Sequence, residues 1–177
     1  MAKNIIHLEK VTWDNYEKVL KLRVNKEQEN FVASNDYSLI HAFLSLSNGE
    51  PVYAFAIYKD KTVIGFIQLC YDNDWTGYEH EKWLQSDEYK SYEGKYYYAI
   101  WRFMIDKKYQ HQGYGRQAFA LALDFIRSLP AGPAEYMTLS YEAENSVAKK
   151  LYASFGFKEY FNEYLEKDDE ITCLLKM

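Results

Sequence analysis

Cysteine is nearly missing from this chain. Its 177 residues hold two, Cys70 and Cys173, far apart and each inside an apolar run. Nothing in that spacing suggests a disulfide framework, and both read as buried thiols. The four histidines, His7, His41, His80 and His111, are scattered without metal-ligand spacing, so no metal site is expected. Positive charge is also short: 21 Lys and Arg stand against 26 Asp and Glu, a net charge of −5. A duplex binder draws its affinity from basic residues against phosphates, so nucleic acid is not expected as a partner. The acidity mildly favours a cationic partner, although it also serves plain solubility. No apolar run is long enough to span a bilayer and no secretory segment is visible. A cytoplasmic location without membrane contact is therefore expected. No internal repeat or low-complexity linker divides the chain, and its length suits one domain, residues 1–177, with a core of its own.

Aromatic residues, by contrast, are abundant at 18%, with 18 tyrosines. Ile5–Leu8 reads as an opening strand. Thr12 offers an N-cap to a helix carrying Trp13, Tyr16, Val19, Leu20 and Val24, and Ser38 offers one to a second helix through Leu46, stopped by Asn48-Gly49 and Pro51. Val52–Tyr58 and Val63–Tyr71 read as a hairpin around Lys59-Asp60-Lys61-Thr62. Asp72–Gly94 is acidic and aromatic; it reads as a solvated loop, yet Trp75, Tyr78, Trp83, Tyr89 and Tyr92 suit a substrate ammonium better than they suit water. Met137–Tyr141 is a further strand, with Met137, Leu139 and Tyr141 on one face. Asn145 caps a helix over Ser146–Phe155 and Gly156 ends it. Phe157–Phe161 and Ile171–Leu175 are two closing strands around a turn at Lys167-Asp168-Asp169. The order predicts a single α/β (α+β) domain.

The most informative stretch is Ile105–Arg116. An apolar run, Tyr96–Ile105, leads into it as a buried strand, and Arg116–Leu129 follows with apolar residues at helical spacing. Between them Gly113 and Gly115 lack a Cβ, which lets the backbone open and a ligand approach. Backbone N–H groups at the positive end of a helix suit phosphate. The spacing matches neither the three-glycine dinucleotide fingerprint nor the nucleoside-triphosphate loop. It is Q-x-x-G-x-G, from Gln110 to Gly115. An ordinary strand-to-helix turn with two glycines reads the same way.

That loop resembles the pyrophosphate loop of the GNAT superfamily of N-acetyltransferases. A second stretch, Leu139–Phe157, with Asn145 before a helix, Leu151-Tyr152 in its middle and Gly156-Phe157 after its end, resembles the family's other signature, at the expected distance downstream. Asn25–Ala33, Gly65-Phe66 and Arg102–Asp106 resemble the bacterial diamine and polyamine (spermine/spermidine) acetyltransferases. Lys107 stands where the family often has proline. Trp101 and Arg102 stand where some polyamine enzymes carry acids, which leaves the general base unassigned.

The resemblance implies a GNAT acyl-CoA N-acyltransferase fold, a mixed central sheet flanked by helices, with acetyl-CoA as co-substrate. Gln110, His111, Gln112, Gly113, Tyr114, Gly115 and Arg116 would surround the diphosphate. Main-chain groups of Phe103, Met104 and Ile105, with Asn145, would hold the pantetheine arm, and Tyr152 would be the general acid. Asn145 can also be a plain helix cap and Tyr152 a plain core aromatic. Glu27, Glu142 and Glu144 are possible bases or ordinary surface carboxylates. The implied reaction is acetylation of a small-molecule primary amine such as spermine or spermidine. Acetylation of a protein N-terminus or an amine antibiotic, or a non-catalytic acyl-CoA-binding module, would share the same cofactor half. Family precedent and the aromatic excess also suggest a homodimer.

Overall fold

Alternating apolar residues in the first half of the chain build strands, and helical spacing between them builds their cover. A computed structural model of the protein describes residues 6–75, 85–160 and 170–177. In chain order the elements are β1 (Ile6–Lys10), α1 (Tyr16–Leu20), a 3-10 turn at Lys26–Gln28, α2 (Asn35–Ser47), β2 (Val52–Lys59), β3 (Thr62–Asp72), α3 (Asp87–Tyr92), β4 (Tyr97–Ile105), a 3-10 turn at Lys107–Tyr109, α4 (Tyr114–Arg127), β5 (Tyr136–Glu142), α5 (Ser146–Ala153), β6 (Lys158–Glu159) and β7 (Glu170–Lys176). The seven strands form one sheet in the order β1-β2-β3-β4-β5-β7-β6. β4 and β5 run parallel, whereas β1–β2, β2–β3, β5–β7 and β6–β7 are antiparallel. This is the mixed, helix-flanked α/β sheet expected from the sequence. Among the described residues no helix is long and apolar enough to cross a membrane.

The chain forms two compact units, Met1–Cys70 with Ile100–Ala131, and Tyr71–Ala99 with Gly132–Met177. In the first, the β2–β3 hairpin turns through Asp60, whose φ is 54°, with Lys59 opposite Thr62. A register shift between Ile57 and Tyr58 puts Ala56, Tyr58, Val63 and Phe66 on one face with Val19, Leu22 and Met104, a buried apolar cluster. On the other face Tyr53 and Phe55 meet the ring of Phe125 from α4 at 5.1 and 4.9 Å. Because α4 repeats its apolar residues at helical spacing, Ala118, Phe119, Ala122, Leu123 and Ile126 are all fully buried. Gly65 is obligatory: a Cβ there would stand 2.5 Å from the carbonyl oxygen of Met104.

In the second unit β4 and β5 pair over Tyr97–Ala99 and Tyr136–Thr138. Met137, Leu139 and Tyr141 are buried on one face of β5, as their alternation predicts. The aromatic excess collects here: Trp75 packs on Tyr92 at 4.8 Å and on Tyr97 at 4.5 Å, and Tyr92 meets Tyr136 at 5.4 Å. The Trp75 indole donates to Lys95 O at 2.7 Å, and Tyr160 donates to Glu88 at 2.6 Å.

Several expected boundaries move. α1 starts at Tyr16 because Asn15, itself buried, accepts from Thr12 N and donates to Lys10 O; Trp13 is left 89% exposed. α2 starts at Asn35, four residues before the predicted start, and Ser38 is a buried interior residue whose hydroxyl donates to Ser34 O. The acidic segment is not wholly loop, for α3 lies in it, capped by the Ser86 hydroxyl accepting from Tyr89 N. α4 begins at Tyr114 rather than Arg116, and α5 ends at Ala153 rather than Phe155. Of the expected strand at 157–161, Lys158–Glu159 pairs with β7. Phe161, the turn at 167–169 and residues 76–84, including Tyr78 and Trp83, lie outside the described residues.

Candidate active site

The end of β4 is tied down before the glycine loop begins. Asp106, 7% exposed, accepts from Lys108 N and from Arg23 N, at 3.0 and 2.9 Å. Its own amide donates to Ile64 O, and Lys107 N donates to Arg23 O. An aspartate directly after a strand is a turn signal the sequence carries in plain sight; its partner 83 positions away is not.

Gln110 continues the bracing. Its side-chain nitrogen donates to Ile105 O at 3.0 Å and to Gln28 Oε1 at 2.9 Å, while its oxygen accepts from Asn25 Nδ2 at 3.1 Å. The first residue of the loop signature therefore uses its side chain to fix the loop's own shape. The Asn25–Gln28 segment, singled out for its resemblance to polyamine enzymes, is what it grips.

The chain then turns through two left-handed residues, His111 at φ 59° and Gly113 at φ 77°. Gln112 reaches back to Lys108 O at 3.2 Å. Gly113 is the N-cap of α4 and has no side chain to offer the first turn, so the positive end of this helix receives no cap from it. A Cβ on Gly113 would have nothing within 4 Å, whereas one on Gly115 would touch Ile105 and Phe103 at 3.6 and 3.8 Å, which is ordinary contact. It is Gly113, and not Gly115, whose backbone demands glycine. Tyr114 is buried, with the Lys59 ammonium 5.2 Å from its ring centroid; a side-chain hydrogen bond with Tyr114 holds the Lys59 pKa above its usual value. Arg116 is exposed on the first turn. Phe103 packs on Phe119 at 5.6 Å, and Met104 and Ile105 are buried. Phe103 to Arg116 thus form one continuous strand, loop and helix within the first unit. An open, uncapped, left-handed entry to a 14-residue helix fits a diphosphate.

Asn145 and Tyr152 sit on α5 in the second unit. Asn145 is a helix cap, its side chain accepting from Ala148 N at 3.1 Å. Tyr152 is 8% exposed, its ring 6.0 Å from Tyr141 and 6.4 Å from Phe157. Burial raises its pKa above the tyrosine norm of 10.0, and nearby Cys173 adds to the rise. Tyr141 is raised as well, first by burial and then by donating to Glu159, which Lys149 also pairs at 2.8 Å. Burial lifts the Cys173 thiol to about 11. Among the described residues no group of three or more His, Cys, Asp or Glu is placed to hold a metal ion.

The first unit also holds a cleft of about 330 Å³ that sequence reasoning missed. Met104 reaches it from β4; Leu22, Val24, Val32 and Ala33 line it, with Glu29 and Asp36 beside them. The Ser34 hydroxyl and two backbone amides hold the Asp36 carboxyl below its usual range. Arg23 also lines the cleft, but its guanidinium donates to Leu20 O and Leu22 O, each at 2.7 Å.

The fold and this loop define an α/β protein in which a left-handed glycine turn leads from the central strand β4 into the N-terminus of α4. Residues 13–157 match the acetyltransferase (GNAT) family, and the chain belongs to that family. It is accordingly an acetyl-CoA-dependent N-acetyltransferase. Among curated proteins none matches the sequence. Solved structures share the fold at low identity. PaiA N-acetyltransferase of Thermoplasma acidophilum, in complex with coenzyme A, is 15% identical over 98% of this chain and 99% of its own, with a TM-score of 0.63. Naa50 of Arabidopsis thaliana, in complex with a bisubstrate analogue, is 16% identical over 97% and 99%, at 0.61. A GNAT family acetyltransferase of Bacillus cereus is 16% identical over 97% of each chain, at 0.57.

Proposed function

We propose that this enzyme moves the acetyl group of acetyl-CoA to a primary amine of a small polyamine such as spermine or spermidine, by direct attack in a ternary complex. The observation that carries the choice of acceptor is the cleft at Met104. Leu22, Val24, Val32, Ala33 and Met104 give it an apolar side, Ser34 and Asn35 line it as well, it carries the carboxylates of Glu29 and Asp36, and the Arg23 guanidinium beside them is turned to backbone carbonyls. Methylene segments separated by ammonium groups match that pattern, because each carboxylate can hold a cation while the chain between them leaves water.

On the donor side, backbone amides of Gln112 to Arg116 bind the diphosphate, and the Arg116 guanidinium adds charge. His111, Gly113, Tyr114 and Gly115 shape that turn. Main-chain groups of Phe103, Met104 and Ile105, with the Asn145 amide, orient the pantetheine arm, and the Met104 N–H supports the oxyanion. Acetyl-CoA supplies an acyl group activated as a thioester. The acceptor ammonium must first lose a proton, which passes to water. Its nitrogen then forms the new C–N bond as the C–S bond breaks, Tyr152 donates a proton to the departing thiolate, and the proton that the acylated nitrogen sheds returns Tyr152 to its neutral form through water. The raised pKa of Tyr152 keeps that proton in place until it is needed.

The test is a panel of amines with thiol release as readout. Spermine, spermidine and short diamines should release thiol from acetyl-CoA in the presence of the enzyme. Silence with these, and turnover of a peptide N-terminus or an amine antibiotic, would reject the polyamine reading while leaving the transferase in place.

A further inference from the structure

The helix that carries Tyr152 rests on a row of side chains from three strands. In the register of β5, β7 and β6, Leu139 stands opposite Cys173 and Cys173 opposite Glu159. Directly paired residues point to one side of a sheet and alternate residues share it, so Leu139, Tyr141, Cys173 and Glu159 lie on the same face. Strand β7 separates β5 from β6, a span of about 10 Å that only long side chains can bridge. The Tyr141 hydroxyl bridges it by donating to the Glu159 carboxylate. Lys149, on α5, pairs with the same carboxylate at 2.8 Å. Tyr152 follows about one turn along that helix. Its ring meets Tyr141 at 6.0 Å and, at 6.4 Å, Phe157, which leads into β6, so it touches both elements that the bridge joins.

The two arms of the bridge are unequal. The Lys149 side chain is 54% exposed, and an ion pair so open to water contributes little. Tyr141 is 5% exposed, and its hydroxyl would be a buried polar group without the carboxylate. Lys149 and then Tyr141 hold the Glu159 carboxyl below its usual range, which keeps it an acceptor. We infer that Glu159 is a positioning residue for the general acid: it fixes Tyr141 against the ring of Tyr152, so that the Tyr152 hydroxyl keeps one direction. The inference rests on the reading of Tyr152 as the acid and extends it to the side chains behind the ring. Without the bridge Tyr141 is free to swing and the Tyr152 ring loses a wall. A displacement of about 1 Å costs up to roughly a hundredfold in rate, so a small loosening is enough to be measured.

The experiment is a double-mutant cycle in kcat on the full chain, read by thiol release from acetyl-CoA with the amine that the panel turns over fastest. Glu159→Leu and Tyr141→Phe should each lower kcat about tenfold and leave the KM for acetyl-CoA within about twofold. Glu159→Gln keeps an oxygen for the Tyr141 hydroxyl and should recover most of the rate. In a Tyr152→Phe background neither Glu159→Leu nor Tyr141→Phe should cost anything further, because no hydroxyl is left to aim. Circular dichroism checks the fold, and Tyr141→Phe, which removes a single oxygen, carries the test if Glu159→Leu does not fold. Full kcat in Tyr141→Phe overturns the inference, as does a Glu159→Gln variant as slow as Glu159→Leu. A tenfold loss that persists in the Tyr152→Phe background also overturns it while leaving Tyr152 as the acid. Wild-type kcat in Tyr152→Phe alone overturns the acid reading itself.

Discussion

Replacing Gly113 with aspartate puts a side chain on a left-handed turn and a negative charge where the proposed diphosphate would rest. Two effects separate in magnitude. Gly113 has φ 77°, and a side chain there costs about 1–2 kcal/mol of backbone strain, less for Asp or Asn, which tolerate the left-handed region. No neighbour lies within 4 Å of the added Cβ, so no clash is added. For a chain of this length that strain lowers Tm by roughly 2–8 °C. The binding effect is larger. A carboxylate about 5 Å from a phosphate charge, at an effective dielectric of about 20, opposes binding by roughly 3 kcal/mol, or on the order of a hundredfold in Kd. Gly113→Asn adds the same bulk without charge and should fall between Gly113→Asp and the wild type. Calorimetric titration with acetyl-CoA measures the Kd values, and scanning calorimetry checks that all three proteins are folded. If Gly113→Asp binds as tightly as the wild type, the diphosphate does not rest on this turn.

Three further outcomes follow from named contacts. Gln110→Glu removes the donor to Ile105 O and Gln28 Oε1 and turns a charge toward two acceptors, so urea denaturation should report a loss of about 2–3 kcal/mol; an unchanged midpoint would mean the brace carries no stability. Tyr152→Phe should lower kcat by roughly a hundredfold while leaving the acetyl-CoA Kd unchanged. Because the folded pKa of Tyr152 lies above 10.0, its stability contribution is full below that pH and falls as pH rises further. The wild-type kcat should then show no loss near pH 10 that the Phe variant lacks. Gln68 is fully buried on the core face beside Phe66, opposite Ala54, and neither amide atom has a hydrogen-bond partner among the described residues. Gln68→Met should therefore raise stability by about 1–3 kcal/mol; a fall in Tm would show that the amide is satisfied in solution.

Local signals carried most of the architecture. The hairpin at Asp60, the Asn145 cap, the glycine stop at Gly156 and the strand, loop and helix around Gly113 were legible because each depends on residues within a few positions. The N-termini of α1 and α2 were not, because Thr12, Asn15, Ser34 and Ser38 all have capping side chains and only packing chooses among them. α3 was hidden by its composition, although Ser86 followed by Asp87-Glu88 is an N-terminal signature. At the candidate site, the strand, turn and helix were readable but the bracing by Gln110 was not. Its partners Asn25 and Gln28 lie 85 and 82 positions away, and no local pattern reports them. The cleft was missed for the same reason, since Met104 and the 22–36 segment that line it meet only in the fold.

The most direct test is a crystal structure of the protein grown with acetyl-CoA. The account predicts diphosphate oxygens within about 3 Å of the backbone amides of Gln112 to Arg116, at the first turn of α4. A diphosphate bound at any other place on the chain, with those amides facing solvent, would contradict it.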